Sequence, residues 1–158
     1  VAKQSNIRGL AADDSTRDAA VKTIWTLFED MWHFRGAVLA DRDIEAVHDM
    51  RVASRRLRTA MQTFKPCFAG KRVRGHYATI KSLADMLGEV RDRDVLVAEL
   101  EGDLARLTRR ESGGIAEMVA RLRVERDRHH KALLALVHQL DADGYDREFL
   151  AYFGRRLH

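Results

Sequence analysis

Apolar residues recur at helical spacing along nearly the whole chain. Residues 1–14 carry no such period and read as a frayed N-terminal lead-in. Ser15 or Thr16 then offers an N-cap, with Asp18 in the first turn to suit the helix dipole. From there Val21, Ile24, Trp25, Phe28, Met31, Trp32 and Val38 keep one helical face to about Leu39, and their aromatic load predicts a central packing element. A short Asp41-Arg42-Asp43 connection follows, with Asp43 as the next cap. Val47, Met50, Leu57, Met61 and Phe64 share the inward face of a second helix with small Ser54 among them, until Pro66 forbids continuation.

Pro66 to Gly70 reads as a turn. A third helix starts near Lys71 and carries Tyr77, Ile80, Leu83, Ala84, Leu87, Val90, Val97, Leu100 and Leu104 inward. Gly88 in its middle is the expected place for a bend or break. Ser112-Gly113-Gly114 predicts a turn, and a fourth helix runs from about Ile115 to Leu140. Its stripe is Ile115, Met118, Val119, Leu122, Leu133, Leu136, Val137 and Leu140, interrupted at two inward positions by Arg126 and His129. Asp141 to Gly144 closes that helix, and a short last one holds Phe149, Leu150, Phe153 and Leu157. The pattern predicts an all-α fold over residues 15–158, an antiparallel helical bundle of four long helices plus a short C-terminal helix.

Composition narrows this picture without changing it. With 158 residues, 46% hydrophobic, and a single proline, the chain suits one helical domain better than a sheet protein or a disordered one. Because 24 acidic residues offset 28 basic ones, a charged partner must be recognised by local clustering rather than by bulk charge. Cys67 is the only cysteine, which excludes an intrachain disulfide, a zinc quartet and a Cys-x-x-Cys motif, and fits a reducing compartment. The longest apolar runs fall far short of the roughly 20 residues of a membrane span, and the first residues lack a signal-peptide core, so a cytoplasmic protein with no membrane partner is expected.

The local cluster lies on the second helix. At about 100° per residue, His48, Arg51, Arg55 and Arg58 fall in one arc beside the apolar face, while Arg56 projects on the other side of His48. Asp49 is the only acid in the segment. Guanidinium groups stay charged at ordinary pH and present planar forks that match phosphate oxygens. Arg51, Arg55 and Arg58 stand at spacings that set like charges side by side, which destabilises an empty helix and favours a bound anion. Lys71, Arg74 and Lys81, then Arg91 and Arg93, add cations on the third helix. Arg126, at an inward position, must meet either an acid or a ligand.

Other readings compete with this one. The arginines could be matched by Glu89, Asp92 and Asp94, with Asp92 orienting them, and His48 could bond a neighbouring carboxylate. Metal ligation needs partners at fixed spacing that His33, His76, His129 and His130 do not offer, so neither a metal nor a cofactor is expected. Phosphate loops are absent and Cys67 has no neighbouring base, so no catalytic residue and no enzyme activity is expected. Without aromatics on the arc to stack bases, nucleic acid is an unlikely specific ligand. A histidine phosphotransfer bundle remains as an alternative, although Arg51 and Val52 stand where that family carries a lysine and a small residue. A module docking an acidic protein is a further one.

V-H-D-M-R-V-A-S-R-R-L-R, followed by L-G-E-V-R-D-R-D-V-L, resembles the CHAD family, the conserved histidine α-helical domain, over about residues 17–157. The resemblance implies helical bundles whose basic residues line a groove, and binding of inorganic polyphosphate, including association with polyphosphate granules. It implies that His48, Arg51, Arg55, Arg56, Arg58, Lys81, Arg91 and Arg126 contact that ligand. A full domain of this family carries two such units, each with its own histidine motif, and this chain supplies one. It is therefore expected either to be the N-terminal half of a longer domain or to pair with a second copy as a homodimer.

Overall fold

The computed structural model of the protein describes residues 6–41 and 43–155, so Arg42, placed in a connection above, and Leu157, placed in the last helix, lie outside it. Every regular element among these residues is helical. Helix α1 spans Thr16–His33, α2 Arg35–Ala40, α3 Ile44–Thr63, α4 Lys71–Leu104, α5 Gly113–Ala142 and α6 Tyr145–Gly154, with one 3-10 turn at Lys65–Cys67. The expected caps form: the Ser15 hydroxyl accepts from the Asp18 amide and the Asp43 carboxylate accepts from the Glu45 amide.

Three boundaries differ from the sequence pattern. The first helix ends at Phe34, whose N–H donates to the carbonyls of Met31 and Trp32, and α2 resumes the apolar period at once. Spacing could not reveal the break because Val38 is still buried on the same side. Gly88 does not interrupt the third helix, since α4 runs unbroken through it. Gly113 and Gly114 open α5 rather than forming the turn, and Met118, expected inward, is 48% exposed. The described part of the lead-in is held against α1: the Arg8 amide donates to Thr26 Oγ1, its guanidinium meets Glu29, and Lys22 binds Asp14.

Side-chain pairs fix the helix directions. Arg51 meets Asp92, Arg58 meets Asp85 and the Gln62 amide donates to the Tyr77 hydroxyl, so α3 and α4 run antiparallel. The pairs Glu89 to His129, Arg93 to Glu125 and Asp94 to Arg126 set α5 antiparallel to α4. One core joins all six helices, with Phe28 stacked at 4.0 Å on Phe149 and Trp32 at 5.8 Å on Phe28. Full burial of Phe28, Phe149 and Phe153 contributes about 2–3 kcal/mol each. His76 sits inside this aromatic cluster against Tyr145 and Phe149, and burial pushes its pKa down. Past Asp94, α4 and α5 continue together beyond the core, with Val119 the only buried apolar side chain there and Val95, Leu96 and Val124 exposed.

Candidate anion-binding face

Helix α3 is placed by burial of Val47, Met50, Ala53, Ser54, Leu57, Ala60 and Met61 against the core. Ser54 is fully buried without strain because its hydroxyl donates to the Arg51 carbonyl at 2.8 Å. With that face fixed, the helical period leaves His48, Arg51, Arg55 and Arg58 along the edge that meets α4.

Each of these side chains except Arg55 is positioned by a neighbour or a cavity wall. The Arg51 guanidinium reaches Asp92 at 3.1 Å and also lies near Gly88, where no side chain competes for the space. Arg58 and Lys81 share Asp85, at 3.3 and 2.7 Å, and the hydrogen bond from Lys81, with Arg58 beside it, holds the Asp85 carboxyl below its usual range. Arg91 meets Glu45 at 3.5 Å. Exposed Arg55 has no ion pair among the described residues. His48 is half-buried, and its Nδ1 is buried with no hydrogen-bond partner among the described residues.

Two concavities run end to end along this edge and share Arg51 and Asp92. One, of about 480 Å³, is lined by His48, Arg51, Arg91, Asp92 and Glu99 together with Val95 and Leu96. The other, of about 400 Å³, is lined by Arg51, Arg55 and Arg58 above Ala84, Asp85, Gly88 and Glu89. A linear anion laid along α3 meets the cations in the order Arg91, His48, Arg51, Arg55, Arg58. Exposed ion pairs of the kind made by Arg51, Arg58 and Lys81 contribute only about 0–1 kcal/mol each. A more highly charged ligand can take over those guanidinium groups at small cost.

Two of the residues the sequence assigned to this site lie off the main line of the file. Arg56 lies on the adjoining flank of α3, in a groove that Arg51 and Arg55 also line, with Ile7, Leu27, Val52 and Phe64. Arg126 is held between α4 and α5, where its Nε donates to Asp94 Oδ1 at 2.9 Å and a second nitrogen approaches Asp127. The inward polar position on the fourth helix therefore meets an acid. Asp94 is buried on α4 at the matching level, and the side chains of the pair are 5% and 20% exposed. His129 likewise faces Glu89 across the same interface.

Reading the sequence missed Asp85 and Gly88. Asp85 is signalled by its place: no acid occurs between Asp49 and Asp85, so it is the first counter-charge after a long cationic stretch. Gly88 is signalled by standing one helical turn after Ala84, so that two small residues make a trough on one face of α4. Among the described residues no three His, Cys, Asp or Glu side chains cluster as metal ligands, and no helix is long and apolar enough to cross a membrane.

A family model described as CHAD domain matches residues 22–158. No curated protein and no solved structure matches the chain.

Proposed function

The chain belongs to the CHAD domain family, and from that membership we propose that the edge between α3 and α4 binds inorganic polyphosphate without chemical conversion. The observation that carries the reading is the single file of Arg51, Arg55 and Arg58 over the Ala84–Gly88 trough, with His48 and Arg91 continuing it at one end. Polyphosphate is a linear chain of repeated phosphoryl anions, so it suits a line of guanidinium forks better than a single closed pocket would. On binding, phosphate oxygens replace Asp92 and Asp85 as acceptors for Arg51 and Arg58, Arg55 gains its first partner, and Lys81 follows Asp85. Arg56, beside Arg51 and Arg55 in the adjoining groove, is a secondary contact, and Arg126, held by Asp94, has no part in it.

The protein then acts as a tether rather than a catalyst, and locates wherever polyphosphate accumulates, a cytoplasmic granule included. A second helical unit, from the same polypeptide or from another copy, would supply the wall opposite α3. Competition binding tests the ligand: polyphosphate is expected to resist displacement by RNA of equal charge, and one-for-one displacement would reduce the site to a general polyanion surface. Solution mass with and without polyphosphate tests the second unit, a doubling on binding being the expected result for paired copies.

A further inference from the structure

A second site of different character lies at the far end of the α3–α4 pair. The 3-10 turn and the first two turns of α4 enclose a cavity of about 410 Å³, within the size range that holds small organic ligands. Met61, Phe68, Val73 and Tyr77 make its walls apolar, and Lys65 and Arg74 complete its lining. The Tyr77 hydroxyl accepts from Gln62 Nε2 at 2.6 Å, which leaves its own proton to be donated.

The charge around this cavity is uncompensated. Lys65, Lys71, Arg72 and Arg74 make no ion pair among the described residues, and no acid occurs in the sequence between Asp49 and Asp85. Gly70, which also lines the cavity, caps α4 without any side-chain oxygen, and the first turn of α4 holds no acid to offset the positive end of its dipole. Three cations stand there instead, where the dipole disfavours them. Inorganic polyphosphate would satisfy the charge but leave the apolar walls unmatched; an apolar molecule would do the reverse.

We propose that this cavity binds a small organic phosphate with an aromatic body. The ring packs among Met61, Phe68 and Val73, and the phosphate takes hydrogen bonds from Lys65, Arg74 and the Tyr77 hydroxyl. The site is separate from the Arg51–Arg58 file and is occupied independently of it.

The test is titration of the full chain with 1-naphthyl phosphate, followed by its fluorescence, beside 1-naphthol and inorganic phosphate as the two halves of the ligand. Saturable one-to-one binding at least about 10-fold tighter than either half is expected, because charge-assisted hydrogen bonds add to ring burial. Val73→Trp, which fills the cavity, and the exposed pair Lys65→Glu with Arg74→Glu should each abolish it. Arg55→Ala with Arg58→Ala should leave it unchanged. Naphthol binding as tightly as its phosphate, or binding that survives the Lys65 and Arg74 reversal, overturns the proposal. Should Val73→Trp not fold, the charge reversal on exposed side chains decides alone.

Discussion

Gly88 on α4 faces Nε of Arg51 on α3 so closely that a methyl group added at Gly88 would stand 3.6 Å from it, an ordinary van der Waals distance. The glycine that looked like a helix break is instead the floor under a guanidinium. Two substitutions should therefore part company. Gly88→Ala fits the space and gains about 0.5–1 kcal/mol from helix propensity, so its urea midpoint should rise with polyphosphate affinity kept. Gly88→Leu must push the Arg51 side chain away, so affinity should fall although the helix remains well formed.

Arg55→Ala with Arg58→Ala removes two members of the cationic file. For a ligand held by phosphate contacts, the slope of log affinity against log salt should shrink by about 1.4, the single-strand value for two lost contacts. Arg56→Ala, on the adjoining flank of α3, should lower slope and affinity much less. Equal effects from both sets would mean that the whole of α3, not one edge, meets the anion.

The Asp94–Arg126 pair holds α4 to α5 where the apolar stripe lapses. Arg126→Ala leaves a buried carboxylate without its counter-charge and should cost about 3 kcal/mol in urea denaturation. Replacing both residues with leucine should return most of that loss, because buried pairs offset little more than their own desolvation. Polyphosphate affinity should be the same in all three proteins, since this pair lies apart from the file.

Gly154 packs on Trp25, and a methyl group there would stand 2.6 Å from the indole Cζ3. The ring is rigid, so α6 or the indole must shift. Gly154→Ala should destabilise the fold by about 1–3 kcal/mol in chemical denaturation and move the tryptophan emission.

Burial lowers the pKa of His76 from its ordinary 6.5, with Arg72 acting in the same direction and Glu148 against it. The unfolded chain therefore takes up a proton that the folded chain refuses. Stability is complete above pH 6.5 and declines as pH falls below it. Urea midpoints should drop between about pH 7.5 and pH 5.5, and His76→Phe should flatten that decline whatever its effect on the midpoint itself.

The order and extent of the helices were legible because periodicity is a local property. Val47, Met50, Leu57 and Met61 repeat on one face whatever they pack against, and Ser15 and Asp43 cap through contacts two or three residues away. The arc of His48, Arg51, Arg55 and Arg58 follows from the same rotation. Local rules also misled where the sequence offered a breaker: Gly88 and Gly113 are weak helix formers in isolation, and both sit inside helices that tertiary contacts hold together.

Periodicity along the chain is enough to specify an all-helical protein with one cationic helix edge. Which cations share a surface was decided only by packing, because a helix fixes the angle of a side chain about its own axis and says nothing of the neighbour it meets. Arg58 and Lys81 come together because Arg58 reaches from antiparallel α3 to Asp85, which Lys81 binds from one turn away on α4 itself, while Arg126 is withdrawn because Asp94 stands opposite it at the same level of α4. Both outcomes depend on the register between helices, set by how Ile80, Leu83, Leu87 and Val90 seat in the common core. That register exists only once the helices touch.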